Sequence, residues 1–214
     1  MTVLITGATR GIGAGLAEAY RDRGEEVIGT GRSASAQLQL DVSQPASHRA
    51  MADKLAGKPI DLLICNAGVY LDKGHDLQTG YGADLWAQTF ATNVTGVFLA
   101  IQALMPNLRA AEQAKIAIIS SQMASDERAP GGSYIYRASK AAALNLGRNL
   151  AADLKGGGIA VGIYHPGWVQ TDMGGQAADI STDASVAGLM DRFDSLSLAT
   201  TGCFETWDGR AHPY

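Results

Sequence analysis

Short apolar runs alternate along this chain with longer stretches in which apolar residues recur every three or four positions. VLIT from Val3, VIGT from Val27, LQL from Leu38, IDLLIC from Ile60, IAIIS from Ile116 and IAVGIY from Ile159 are runs rich in Val, Ile and Leu. Continuous rather than alternating apolarity marks strands buried on both faces. A last short strand is expected near Cys203 and Phe204. Between these runs lie helical patterns. Ile12, Leu16 and Tyr20 repeat at a four-residue step within residues 12–23. Further helices are expected through the forties and early fifties, over 84–109, from Ser133 to Lys155, and over 184–193. Alternation of strands and helices predicts a parallel sheet with right-handed crossovers. The pattern shows no internal repeat, low-complexity segment or linker. Residues 1–214 are therefore read as a single doubly wound α/β domain, with about seven parallel strands and helices on both faces. Ligands of such sheets bind beyond the carboxyl ends of the strands, so useful chemistry should follow the runs.

Composition narrows the classes. The chain is 46% hydrophobic and 18% charged, which excludes wholesale disorder. A formal net charge of −4 gives no basic footprint for nucleic acid. No apolar run approaches the roughly 20 residues of a membrane span, and MTVLITG is not a secretory leader. The two cysteines are Cys65 and Cys203. Cys65, inside IDLLIC, reads as a buried thiol. No disulfide framework is expected, which fits the cytoplasm. No His/Cys/Asp/Glu cluster has metal-ligand spacing, so no metal is expected.

After the first run comes TGATRGIG, with Gly7, Gly11 and Gly13. A glycine turn that opens a helix lets backbone N–H groups approach a pyrophosphate. The second run ends in VIGTGRS, where an acid would bond a ribose 2′-OH. Arg32 stands there instead, and Arg10 lies in the glycine loop. An arginine fork grips a 2′-phosphate. NADP(H) is therefore preferred, with NAD(H) possible. Asp41 either accepts from an adenine amino group or caps the next helix.

GGSYIYRASKAAALN starts at Gly131, with Ser133 as a candidate helix cap. Tyr136 and Lys140 are four apart and share a helical face; Tyr134 and Lys140 are six apart and do not. Taken alone, the stretch is better read as an amphipathic helix with Tyr136 packed and Lys140 solvated, and only the other segments can change that reading.

Taken together, these segments resemble the short-chain dehydrogenase/reductase family. TGATRGIG matches its T-G-x-x-x-G-x-G loop, and CNAG (Asn66, Ala67, Gly68) its N-A-G signature. Asn93 in ATNVTGVF matches its active-site asparagine, IISS its serine, YRASK its Tyr-x-x-x-Lys, and HPGWVQTDM its proline-glycine segment. These follow the family order from Thr6 to Met173. YRASKAA, HPGWVQTDMGG and WDGRAHPY are similar to a C-factor-like carbonyl reductase branch. The chain departs from the family in two respects. It is short between Arg32 and Asp41 and after Met173, so the substrate lid is short and the pocket open. Ser121 also lies 15 residues before Tyr136, slightly more than is usual; Tyr134 meets the usual gap better, but helical phase outweighs it.

The resemblance implies a Rossmann-type, NAD(P)-binding oxidoreductase acting between a carbonyl and an alcohol. It makes Tyr136 the general acid or base. Lys140 and the oxidised nicotinamide lower the Tyr136 pKa from near 10, and Lys140 also bonds the nicotinamide ribose. Ser121 holds the substrate oxygen, and Asn93 a water linking Lys140 to solvent. Ser120 is rejected, because successive strand residues face opposite sides and the family uses the second serine. Expected cofactor contacts are Gly7, Thr9, Arg10, Gly11, Ile12, Gly13, Arg32, Asp41, Val42, Asn66, Ala67, Gly68, Tyr136, Lys140, Pro166, Gly167, Val169 and Thr171. Thr171 alternatively caps a helix. His165 is read as structural rather than acid/base, and His75 as solvent-exposed. Tyr164 and Trp168 either line a substrate wall or pack. Small carbonyl or alcohol substrates and a homodimer or homotetramer are implied as partners. The rival readings are an NAD-preferring alcohol dehydrogenase and a cofactor-sensing binding module with little turnover.

Overall fold

The computed structural model describes residues 1–34 and 36–214. Its strands are β1 (Thr2–Ile5), β2 (Glu26–Gly31), β3 (Leu38–Gln39), β4 (Leu62–Cys65), β5 (Lys115–Ile119), β6 (Ala160–His165) and β7 (Phe204–Thr206). They form a seven-stranded sheet in the order β3-β2-β1-β4-β5-β6-β7. Every neighbouring pair is parallel. The chain lays down β1 to β3 toward one edge, then returns to the centre and adds β4 to β7 toward the other. That reversal between β1 and β4 opens a crevice at the carboxyl ends of the strands.

The helices are α1 (Gly11–Asp22), α2 (Pro45–Lys54), α3 (Ala83–Phe90), α4 (Gly96–Ala103), α5 (Met105–Arg109), α6 (Tyr134–Lys155) and α7 (Thr182–Ser195). They cover both faces of the sheet. Val3, Ile5, Leu62 and Ile64 pack in one core with Leu16 and Tyr20 of α1 and Leu189 and Phe193 of α7. Leu4, Leu63, Ile116 and Ile118 pack in the other with Met51 of α2, Ile101 of α4 and Ala151 of α6. Successive strand residues thus enter opposite cores, which is why the strands read as continuous apolar runs. Each fully buried Leu or Ile contributes about 1.5–3 kcal/mol.

One expectation needs correction. The single helix expected over 84–109 is broken. A wide π turn (Ala91–Thr95) separates α3 from α4, and α5 begins afresh at Met105 with Pro106 in its first turn. Proline lacks the N–H that a continuing helix requires. The π turn holds one residue more than an α turn, and it contains Asn93, which is buried. Apolar spacing does not register one extra residue. Among the described residues, no helix is long and apolar enough to cross a membrane. Both cysteines are free thiols, and Cys65 is buried.

Candidate active site

The loop between β1 and α1 turns through left-handed backbone at Gly7 (φ +70°) and Gly11 (φ +54°). Helix α1 opens with no capping side chain, so its first-turn N–H groups are left for a ligand. Gly13 is required by close approach: a Cβ there would stand 2.2 Å from the Gly7 carbonyl oxygen and 2.4 Å from Asn66 Nδ2. The same Asn66 Nδ2 donates to the carbonyls of Thr6 and Gly7, each at 3.0 Å. Thr6 Oγ1 accepts from the Asn66 and Ala67 N–H groups at 3.0 and 3.1 Å. The residues after β1 and β4 are therefore locked together. Gly13→Ala should cost about 1–3 kcal/mol through overpacking. Denaturant titration with and without cofactor checks this, and unchanged stability would show that the loop yields freely.

These loops wall a cleft of about 260 Å³ at the reversal point. Gly7, Thr9, Arg10, Gly11, Ile12, Gly13, Arg32, Asp41, Val42, Asn66, Ala67, Gly68, Tyr136, Lys140, Pro166 and Thr171 line it, as does Ser120. Gly167 and Val169 do not line it. A Cβ on Gly167 would stand 2.4 Å from Ile180 Cδ1, and buried Val169 bridges to Ile180. Both anchor the segment after β6. Asp41 is not a helix cap, because α2 starts at Pro45 behind Gln44. Its Oδ1 accepts from the Ser43 N–H (3.0 Å) and hydroxyl (2.7 Å), a local turn at the rim of the cleft. Thr171 caps no helix either. Its Oγ1 accepts from the Gly174 N–H at 3.1 Å within an irregular segment. Arg10 pairs with Asp172 at 3.1 Å, with side chains 69% and 79% exposed; such a pair contributes about 0–1 kcal/mol. A glycine turn, uncapped helix N–H groups and an arginine at the far end of the cleft fit a nicotinamide dinucleotide.

The four expected catalytic residues gather around the start of α6. Tyr136 and Lys140 are buried, 8% and 5% exposed, which corrects the reading of Lys140 as solvated. Lys140 Nζ donates to the Ile119 carbonyl at 2.9 Å and lies 5.7 Å from the Tyr136 ring centroid. Burial drives the Lys140 ammonium down to about 8. Burial also pushes the Tyr136 phenol up to about 12, and a hydrogen bond from the Ser121 hydroxyl opposes that rise. Tyr134, by contrast, is 40% exposed and meets Tyr81 edge-on. Ser120 donates to the Lys140 carbonyl at 3.1 Å; the Ser121 hydroxyl reaches the phenol. Asn93 donates to the Val69 carbonyl (2.9 Å) and Ser139 Oγ (3.0 Å), and its Oδ1 accepts from the Val69 N–H (2.8 Å). Both of its amide hydrogens thus serve protein partners, leaving an Oδ1 lone pair for water. Gly68 fits between Asn93 and Lys140: a Cβ there would stand 3.4 Å from Asn93 Oδ1 and 3.5 Å from Lys140 Nζ.

Ser133 is not the cap of α6. It adopts left-handed backbone (φ 47°) and makes no capping bond; its hydroxyl meets the Tyr70 hydroxyl. The cap is Asp72, whose carboxylate accepts from the Ile135 N–H at 2.9 Å and the Tyr136 N–H at 3.2 Å. Tyr70 stacks on Tyr136 with centroids 4.3 Å apart. Sequence reasoning missed Tyr70 and Asp72. Both lie in the loop after β4, more than sixty positions from α6, where no local pattern marks them.

The remaining candidates lie apart. His165 is buried, and burial with neighbouring His212 lowers its imidazole to about 4. Tyr164 packs on Phe193 rather than lining a wall. Trp168 is 45% exposed, and its Nε1 donates to the Gly174 carbonyl. His75 lies in an exposed loop.

Residues 1–181 match the family model for short chain dehydrogenase. The chain is 34% identical over 225 aligned positions to 1-hydroxy-2-glutathionyl-2-methyl-3-butene dehydrogenase of Rhodococcus sp. (strain AD45), covering 97% of each chain. It is 36% identical over 171 positions to the C-signal of Myxococcus xanthus, covering 78% of this chain and 99% of that one. Among solved structures, the NADPH-bound carbonyl reductase from chicken fatty liver superposes with a TM-score of 0.91 at 30% identity, covering 100% and 98% of the two chains. With this cleft and these residues, the chain belongs to the short-chain dehydrogenase/reductase family of oxidoreductases.

Proposed function

We propose that the protein is an NADPH-dependent reductase of small ketones or aldehydes, running in reverse as an alcohol dehydrogenase. The observation that carries this reading is the Tyr136 phenol, hydrogen-bonded by Ser121 beside Lys140 at the end of the cleft. When bound, the nicotinamide supplies or accepts hydride. The chain's residues do the rest. Ser121 orients the substrate oxygen toward the phenol. Tyr136 gives that oxygen its proton in reduction and removes one in oxidation. Lys140 brings positive charge next to the phenol, favouring its ionised form, and holds the cofactor ribose. Asn93 joins the loop after β4 to α6 through Ser139 and offers Oδ1 to a water that relays protons to Lys140.

NADPH is favoured over NADH because no acid ends β2 and Arg32 lines the cleft there. Arg10, paired with Asp172, is a weaker candidate for the 2′-phosphate. The NADPH-bound chicken carbonyl reductase supports this choice. Arg32→Asp should weaken NADPH binding about 10–100-fold, as expected for loss of charge-assisted bonds, and spare NADH. Fluorescence titration with both cofactors checks this; equal affinities in the unaltered protein would remove the NADP preference. Trp86 and Phe98 are exposed on α3 and α4, which supports a homo-oligomer paired through these helices. Turnover of NADPH against a panel of ketones and aldehydes tests the activity, and no turnover on any would favour a cofactor-sensing module.

A further inference from the structure

Asp72 is a fully buried carboxylate to which the reaction above assigns no role. Its partners are the first N–H groups of α6, contributed by Ile135 and Tyr136, more than sixty positions away in sequence. A helix that needs only a cap is served by a neutral serine, worth about 1 kcal/mol. Ser133 stands one residue before α6 and is not used in this way. Burying an ion costs several kcal/mol unless its partners compensate, and here the partners are two N–H groups at the positive end of α6.

We propose that Asp72 is a positioning residue for Tyr136: clamped on the Ile135 and Tyr136 N–H groups, it sets the direction of the phenol. The inference rests on the reading of Tyr136 as the proton donor. Three features support it. Asp72 grips the backbone of Tyr136 itself, so tilting the carboxylate tilts the residue. Tyr70, two positions earlier, stacks on the Tyr136 ring and bonds Ser133, so one loop holds both backbone and ring. The charge of Asp72 also acts on the phenol, in the direction of protonation. The groups facing that phenol are Tyr70 and Asp72 from the loop after β4, Ser121 after β5, and Lys140 on α6. Asp72 acts on that phenol in the direction of its neutral form, while Lys140 Nζ lies 5.7 Å from the ring centroid.

The test compares the unaltered protein with Tyr136→Phe and Asp72→Asn. It reads carbonyl reduction, the KM for NADPH, and the ultraviolet titration of Tyr136 phenolate, obtained by subtracting the Tyr136→Phe curve in each background. Asp72→Asn should lower kcat by at least about 10-fold, in line with the cost of misplacing a reacting group. The KM for NADPH should stay within about 2-fold, since Asp72 is not among the cleft residues. The phenolate should appear at lower pH than in the unaltered protein. Unchanged kcat, or a lower kcat with an unmoved titration, overturns the inference. Should Asp72→Asn not fold, Asp72→Ser, which removes the charge and keeps an acceptor, carries the same readouts. A full rate in Tyr136→Phe would instead sink the reading of Tyr136. A dead Tyr136→Phe beside a fully active Asp72→Asn would sink only the role of Asp72.

Discussion

Tyr136→Phe lowers carbonyl reduction by about 10²–10⁴-fold, the range for loss of a positioned proton donor. NADPH binding changes little, because the hydroxyl lies at the end of the cleft and the ring volume is kept. The substitution removes a hydrogen-bond partner of Ser121 and leaves the stack on Tyr70 intact, so the fold stays in place. The direction of the pH dependence follows from burial, which pushes the free phenol up to about 12. Tyr136 therefore holds its proton through neutrality, and reduction shows no tyrosine-linked loss there. Oxidation needs the phenolate, so its rate climbs with pH. Following NADPH absorbance in both directions across a pH series checks all three statements. Full activity in the phenylalanine variant would overturn the mechanism.

Lys140→Met has the second largest effect, and it acts in two directions. Activity falls by about 10²-fold or more, the usual result of removing one stabilising donor from an active site. Stability rises. Lys140 is buried, and its ammonium is depressed from 10.5 to about 8. A group lowered in this way is more stable folded above its unfolded value, and that advantage is lost as pH falls through the folded value. At pH 7 the lysine is charged both folded and unfolded, and the full burial penalty of roughly 3 kcal/mol applies. Methionine removes the penalty and also the bond to the Ile119 carbonyl, worth about 1 kcal/mol. The net gain at pH 7 is about 1–3 kcal/mol. It should shrink as pH rises from 8 to 10.5. Urea unfolding at pH 7 and pH 10 measures this; a variant less stable than the parent at pH 7 would show that Lys140 serves the fold.

Much of this site is legible in the sequence. Continuous Val/Ile/Leu runs gave the parallel sheet, because strands buried on both faces leave no polar side to alternate. Glycines after β1 and the arginine after β2 fell on the cleft, because parallel topology sends the carboxyl ends of all strands to one rim. Helical phase separated Tyr136 from Tyr134 because the two lie on one helix. Features that depend on distant segments stayed hidden. Ser133 was the obvious cap from local sequence, whereas the carboxylate that does the capping comes from the loop after β4. The π turn around Asn93 inserts a single residue, and apolar periodicity tolerates that without a trace. Gly167 and Val169 read as cofactor contacts from their segment; what they touch is Ile180 and Trp207, which only the folded chain brings there.

The two-sided core has a consequence for synthesis. Leu16, Ala17 and Tyr20 on α1 share their core with Val186, Leu189 and Phe193 on α7. Helix α1 is thus completed by α7, which is made long after it. Until residues 182–195 emerge, part of the apolar face of α1 stays uncovered, and earlier still β1 waits for its neighbour β4. Exposed surface of this kind is what makes partly synthesised chains prone to aggregate. For this core, the vulnerable interval runs from the making of α1 to the making of α7.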